Sequence, residues 1–284
     1  MVPSTFLKLR GGPRLSLLLR QVVGNYAEAM VAEADPDVRI SFGGFDRYWM
    51  RVFFRGDFYE PELYRLFSRS QRLRELCLID GGANIGFWSA ILTSERFGVS
   101  RAVALEASPS TYADLARTAK LCGDRFVTEH RALSKTVGHV EFEVGLSHES
   151  RHIATNAGAS TVRIEATTVD DIVTRHGFDP TRLLVKLDVE GAELDCVLGG
   201  SKAFESGALW VYEDHGKDPT SRLTGDLLAH GAACWFITDE GTLTRVSSAD
   251  EASRFKRDPV RGYNFLCIEK SKVPAVAGLS LIHI

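Results

Sequence analysis

Asp80, Gly81, Gly82, Asn84 and Gly86 fall within seven residues of the stretch "CLIDGGANIGFWSAIL", between two apolar runs. A plain strand-to-helix turn needs one or two glycines. Three suggest a backbone that something other than protein must approach closely. A dinucleotide fingerprint GxGxxG ending at Gly86 would need glycine at 83, where Ala83 stands. The run reads instead as D-x-G-x-N-x-G. An acid directly before the turn would repel a pyrophosphate and welcome a cationic or amine-bearing ligand. Glu106 closes the next predicted strand, twenty residues after Gly86, where a carboxylate can take both hydroxyls of a ribose. Acid before the glycines and acid after the second strand together favour a nucleoside with an amino-acid or sulfonium part, S-adenosylmethionine, over NAD. A bare turn with a capping Asp would leave Glu106 unexplained.

Two further clusters carry possible chemistry. "KLDVEGAE" holds Asp188, Glu190 and Glu193, and "VYEDHG" holds Glu213, Asp214 and His215. Both should project from strand ends beside the glycine turn. His215, with an ordinary pKa of about 6.5, is the first choice for a base at neutral pH. Asp188 would orient it or accept the proton itself. Glu190 joins the catalytic candidates, although Glu190 and Glu193 could equally stabilise a helix start. Lys186 lies in a strand that should be buried, so an acidic partner is expected. Asp188, Glu213 and Asp214 could hold a hard divalent ion such as Mg2+, a reading not favoured because carboxylates at strand ends are common without metal. His148 and His152 lack the helix and third ligand that a metal pair would need.

The elements that must position these groups follow from hydrophobic period. Strands are predicted at Leu76–Ile79, Arg101–Leu105, Phe126–His130, Leu183–Leu187 and Leu209–Tyr212, alternating with helices at 87–97, 109–121, 168–176, 190–198 and 220–230. That alternation predicts a doubly wound, Rossmann-like α/β sheet. "CWFITDEGTLTRV" predicts an antiparallel C-terminal hairpin, followed by a strand "NFLCIE". "HVEFEV" and "TVRIEA" read as half-exposed strands in an insertion, and 145–163 as a loop over the strand ends. Ahead of the sheet, 15–33 reads as helix, 38–54 as two strands joined through Gly43-Gly44, and 59–70 as helix. Tyr48, Trp49 and Phe53 in that hairpin read as packing residues. The expected divisions are an N-terminal α+β extension at 1–74 (a substrate cap), a cofactor-binding domain at 75–272, and a tail at 273–284.

Composition narrows the class. The 284 residues are 44% hydrophobic and 25% charged with net charge −3, so a sizeable core is expected and general attraction to nucleic acid is not. Five widely spaced cysteines without a CxxC point to reduced thiols and a cytoplasmic protein. The apolar run "LSLLL" is too short for a membrane span. A homo-oligomer is compatible with all of this.

The motifs "IDGGANIGFWS", "VALEASPSTYADL", "RALSKTVG", "TTVDDIV" and above all "VKLDVEGAELDCVLGG" resemble the FkbM-type family of S-adenosylmethionine-dependent methyltransferases, over about residues 75–215. The resemblance implies a class I methyltransferase fold and O-methylation of a hydroxyl on a small natural-product or sugar acceptor. Asp80, Gly82, Asn84 and Gly86 would hold the methionine portion, and Gly81 and Asp188 would also belong to the cofactor site. Glu106 would hold the ribose, Ala107 and Ser108 would flank the adenine, and Arg131 and Ala132 would line its other face. Gly81 and Ser108 depart from the family's usual apolar residue and Asn without removing a needed charge. Methylation of an amine, a carboxyl or a macromolecule, or a catalytically silent cofactor-binding module, are the rival readings. A nicotinamide oxidoreductase would need Asp80 to be harmless beside a pyrophosphate.

Overall fold

A computed structural model describes residues 29–44, 46–55, 59–70, 72–143 and 161–273. The chain enters through β1 (Met30–Asp35) and β2 (Val38–Phe42), which pair antiparallel across the Pro36-Asp37 turn. Residues 47–55 are not the second strand of a hairpin but a helix, α1 (Arg47–Arg55). Asp46 explains the difference, because its carboxylate accepts the N–H groups of Tyr48 at 2.9 Å and Trp49 at 3.1 Å and so caps the first turn. Trp49, Met50 and Phe53 then share one helix face toward the core. Helix α2 (Pro61–Arg69) follows, with Pro61 in the first turn. The predicted helix at 15–33 lies mostly outside the described residues, and its last positions are the strand β1.

The main sheet begins with β3 (Cys77–Gly81), α3 (Phe87–Leu92), β4 (Arg101–Leu105), α4 (Pro109–Leu121) and β5 (Val127–Glu129). Ser108 caps α4, accepting from the N–H of Thr111. A small second sheet follows from β6 (Ala132–Leu133), β7 (Gly138–Glu143) and β8 (Thr161–Thr167), with β8 central. Of these, β7 and β8 are the two strands expected in the insertion. The loop expected over 145–163, with His148 and His152, falls almost wholly outside the described residues. The main chain then continues through α5 (Val169–His176), β9 (Leu183–Leu187), α6 (Glu193–Gly199), α7 (Ser201–Ser206), β10 (Leu209–Glu213), α8 (Arg222–Ala229), β11 (Ala232–Ile237), β12 (Leu243–Val246), α9 (Ala249–Ser253) and β13 (Asn264–Glu269).

Eight strands form the sheet in the order β12-β11-β13-β10-β9-β3-β4-β5. The five from β10 to β5 run parallel. β13 enters antiparallel between β10 and β11, so the hairpin β11–β12 reaches the sheet only through the later strand. The fold is thus a doubly wound, Rossmann-like α/β sheet, as the alternation predicted. Strand residues alternate between two cores. Leu78, Ala104, Leu184, Val211 and Leu266 face a core shared with β2, α1, α2 and α3, while Ile79, Val103, Val185, Trp210 and Phe265 face α5 to α8. The chain leaves β3 in one direction for β4 and β5, and fills the other side later with β9 and β10. The carboxyl ends of β3 and β9 therefore form the switch point at which such sheets bind ligands.

Candidate functional site

At that switch point the backbone itself forms one wall. Gly82 has φ +70°, and a Cβ there would lie 1.8 Å from the carbonyl oxygen of Asp188. Asn84 (φ 53°) and Glu190 (φ 53°) also adopt the left-handed region, on the turns after β3 and β9. Such backbone is costly for non-glycine residues and tends to be retained where a site needs it. Between the two turns lies a cavity of about 680 Å³, open mouth included, whose wall contains Gly82, Glu106, Ala107, Arg131, Ala132 and Asp188. Bare backbone on one side and a carboxylate on the other suit a nucleoside carrying a charged amino-acid part.

The carboxylate of Glu106 is aimed by two backbone donors. Its Oε2 accepts the N–H of Asn84 at 3.0 Å and its Oε1 the N–H of Ser108 at 2.8 Å. Arg131 reaches Glu165 at 2.9 Å, which holds it along the cavity wall. His130 stacks on Tyr112 at 4.9 Å between centroids and hydrogen-bonds the carbonyl of Ala107 at 3.0 Å, fixing the loop that carries it.

Four of the expected cofactor residues stand behind this wall instead of on it. Asp80 is 1% exposed and accepts a hydrogen bond from Ser89 Oγ at 2.6 Å, while its other oxygen has no partner among the described residues. It faces Lys186 across the β3–β9 register. Burial raises its pKa, opposed chiefly by the Lys186 ammonium. Gly81 is a packing glycine, since a Cβ there would come 2.3 Å from Leu133. Gly86, at φ +85°, starts α3 and lets Leu115 approach to 2.7 Å of its Cβ position. Ser108 is a helix cap. These residues shape the wall from beneath, which is why a run of glycines looked like direct contact.

A second cleft, of about 1760 Å³ with its open mouth, shares Asn84, Asp188 and Glu190 with the first. Its other walls come from distant parts of the chain. Tyr48, Tyr59 and Glu60 arrive from α1 and the approach to α2, while Glu213, His215 and Arg261 come from the far side. Tyr48, read from sequence as a packing residue, is 47% exposed and lines the cleft, whereas Trp49 is buried. Beneath the floor lies Lys186, 2% exposed, with its Nζ 3.9 Å from both Glu60 Oε2 and Asp188 Oδ2. Burial would strip its proton, yet Glu60, Asp188, Asp80 and Glu213 together hold its pKa above the ordinary lysine value. The acidic partner expected for Lys186 is thus a set of carboxylates.

Glu60 is the residue sequence reasoning missed. It has φ 45° and ψ 62°, and its carboxylate accepts from Trp88 Nε1 at 2.5 Å and Asn264 Nδ2 at 2.7 Å. No local pattern announces it, because its partners lie up to 204 residues away. Burial raises its pKa, with Lys186 as the main opposing charge. Glu213 is pushed well above its ordinary value by burial, then by the charges of Asp188 and Glu60.

The metal expectation does not assemble. Asp214 is 2% exposed and turned away from the cleft, bound to Lys256 Nζ at 2.5 Å and Thr224 Oγ1 at 2.7 Å. The carboxylates that do meet, Asp188 and Glu213, are served by an ammonium, and no group of three potential ligands occurs among the described residues. Glu193 caps the turn, accepting the N–H groups of Val189 and Gly191 at 3.1 Å each, so it belongs to the helix start. Glu190 borders both cavities. Among the described residues no helix is long and apolar enough to cross a membrane.

Comparison with known proteins identifies the family. The model of the methyltransferase FkbM domain matches residues 80–230, more than half of the chain. A hexuronic acid methyltransferase, AglP, from Haloferax volcanii is 28% identical over 144 residues, which is 50% of this chain and 57% of that protein. The chain thus spans little more than half the length of this relative. Among solved structures, a methyltransferase FkbM from Methylobacillus flagellatus aligns over 82% of this chain and 55% of its own, with 16% identity and a TM-score of 0.44. An O-methyltransferase from Bacillus cereus in complex with S-adenosylhomocysteine aligns over 92% and 91%, with 10% identity and a TM-score of 0.34.

Proposed function

Since the chain belongs to the methyltransferase FkbM domain family, we propose that it transfers a methyl group from S-adenosylmethionine to a hydroxyl of a small, sugar-like or other natural-product acceptor. The observation that carries this reading is the shared wall. Asn84, Asp188 and Glu190 border both the glycine-turn cavity and the larger polar cleft, so a donor in one and an acceptor in the other would meet there. When bound, the donor supplies a methyl carbon already activated by its sulfonium.

The chain's own residues supply alignment. Glu106, aimed by two N–H groups, would take the ribose hydroxyls. Ala107, Arg131 and Ala132 would border the adenine. The turn at Gly82 and Asn84 leaves room for the methionine portion. Holding an acceptor oxygen in line with the methyl is worth several kcal/mol of barrier, about 7–11 kcal/mol in the best intramolecular cases. Tyr48, Tyr59 and the cleft's carboxylates suit an acceptor with an apolar face and several hydroxyls. A sugar-like acceptor is supported by the hexuronic acid named for the Haloferax volcanii relative.

The test is calorimetric titration with S-adenosylhomocysteine, followed by transfer of labelled methyl from S-adenosylmethionine to methyl glycosides. Micromolar binding and labelled ether product are expected. Binding without transfer to any hydroxyl, or affinity for NAD in its place, would remove the reading.

A further inference from the structure

The sequence points to His215 as the base, but its geometry is unsuited to that task. Its Nδ1 accepts the backbone N–H of Lys217 at 3.0 Å. In the neutral ring the hydrogen must then sit on Nε2, leaving no lone pair there to receive a proton. Asp188 is engaged with the Lys186 ammonium. Glu213 is placed differently. It ends β10 beside the switch point and lines the acceptor cleft together with Asp188, whose charge raises its proton affinity. Its other flank is set by Gly262, where a Cβ would come within 1.3 Å of Glu213 Oε1. Only a missing side chain at 262 lets this carboxyl lie where it does.

Building on the methyltransferase reading above, we propose that Glu213 receives the proton of the acceptor hydroxyl, with Gly262 leaving room for its carboxyl in the cleft it shares with Asp188 and Glu60. In the step, a lone pair of the acceptor oxygen forms the new O–C bond. The methyl–sulfur bond breaks and its electrons stay on sulfur, giving the thioether. The O–H bond breaks with its electrons left on oxygen, and the proton passes to Glu213. It leaves for solvent as the product departs. The groups facing Glu213 are Asp188 and Glu60, which raise its proton affinity, and Lys186, which lowers it, with the hydroxyls of Tyr48 and Tyr59 nearby. A carboxylate with proton affinity raised above the ordinary range is a more effective base than an ordinary carboxylate. Lys186 and Glu60 are positioning residues.

Glu213→Gln separates these roles. With labelled S-adenosylmethionine and a panel of methyl glycosides, transfer should fall roughly a hundredfold to ten-thousandfold, while S-adenosylhomocysteine affinity stays within about twofold. The wild-type rate should rise with pH through a limb above the ordinary carboxylate range, and that limb should vanish from the residual activity. His215→Ala should cost less than about tenfold. Wild-type rate and pH profile in Glu213→Gln would overturn the assignment. If no glycoside in the panel accepts methyl, calorimetry in buffers of different ionisation enthalpy decides. Wild-type protein should release a proton on binding S-adenosylmethionine but not S-adenosylhomocysteine, because the sulfonium cation favours the ionised form of the Glu213 carboxyl. Glu213→Gln should release none, and equal release from both proteins would overturn the proposal. Wild-type protein that binds neither ligand would remove the methyltransferase reading itself, an outcome the binding arm distinguishes.

Discussion

The two cavities of this molecule are built in different ways. The glycine-turn cavity draws its walls from residues 82 to 192, and all but a few positions sit at the ends of neighbouring parallel strands. The larger cleft gathers Tyr48 and Glu60 from one end of the chain and Arg261 from the other, outside the region matched by the family domain. A pocket made of successive strand ends is local, so its pattern repeats wherever the chemistry does. A pocket assembled from distant segments can change one wall without disturbing the rest. On the function proposed above, the first would take the donor and the second the acceptor.

Lys186→Met should have the largest effect and strike beneath both cavities. It leaves Glu60, Asp188 and Asp80 without their buried cation, a loss of about 3–5 kcal/mol by the usual cost of breaking a buried pair. Urea unfolding would measure it, and a change below about 1 kcal/mol would mean that the cluster is solvated after all. Glu106→Gln should act on the donor side alone. Losing a charge-assisted hydrogen bond is worth about 1.5–3 kcal/mol, which corresponds to a roughly 10- to 150-fold weaker titration with S-adenosylhomocysteine and no change in folding cooperativity. Equal weakening of acceptor affinity would blur the division between the cavities.

A pH effect should follow from the raised carboxyls. Asp80, Glu60 and Glu213 all bind protons more tightly in the folded chain than an unfolded carboxyl does. Between the ordinary carboxylate range and their raised values the folded state holds more protons, so stability falls as pH rises through that window. Urea midpoints of the ligand-free protein should decline as pH rises above the ordinary carboxylate range, and Glu213→Gln should flatten the decline. The smallest effect tests the seam between the cavities. Trp49 Nε1 donates to Asn84 Oδ1 at 3.2 Å, linking α1 to the donor turn. Trp49→Phe should cost about 1 kcal/mol, a several-fold loss of S-adenosylhomocysteine affinity with folding retained.

The same contrast explains what could be read from sequence. β4 and β9 begin and end where their apolar runs do, and α4 begins where Ser108 and Pro109 mark a cap and a first turn. Buried parallel strands carry this signal because both faces are apolar. Residues 38–54 misled because Gly43-Gly44 imitates a hairpin turn, while the decisive signal was a single capping carboxylate at Asp46. At the site, a cluster of glycines indicated the right turn but not which positions meet solvent. Gly82 does, whereas Gly81 and Gly86 admit Leu133 and Leu115. Glu60 was invisible for a simpler reason, since its role depends on Trp88, Lys186 and Asn264, which only folding brings together.

The antiparallel strand wedged into the sheet sets an order of assembly. Within the described sheet β11 pairs with β12 and β13, so its backbone ladder to the parallel strands waits for residues 264–269. The same late segment delivers Asn264 to Glu60 and Gly262 to Glu213. The smaller cavity thus draws on no residue beyond 192, while the larger one stays open on one side until residues 260–262 are in place.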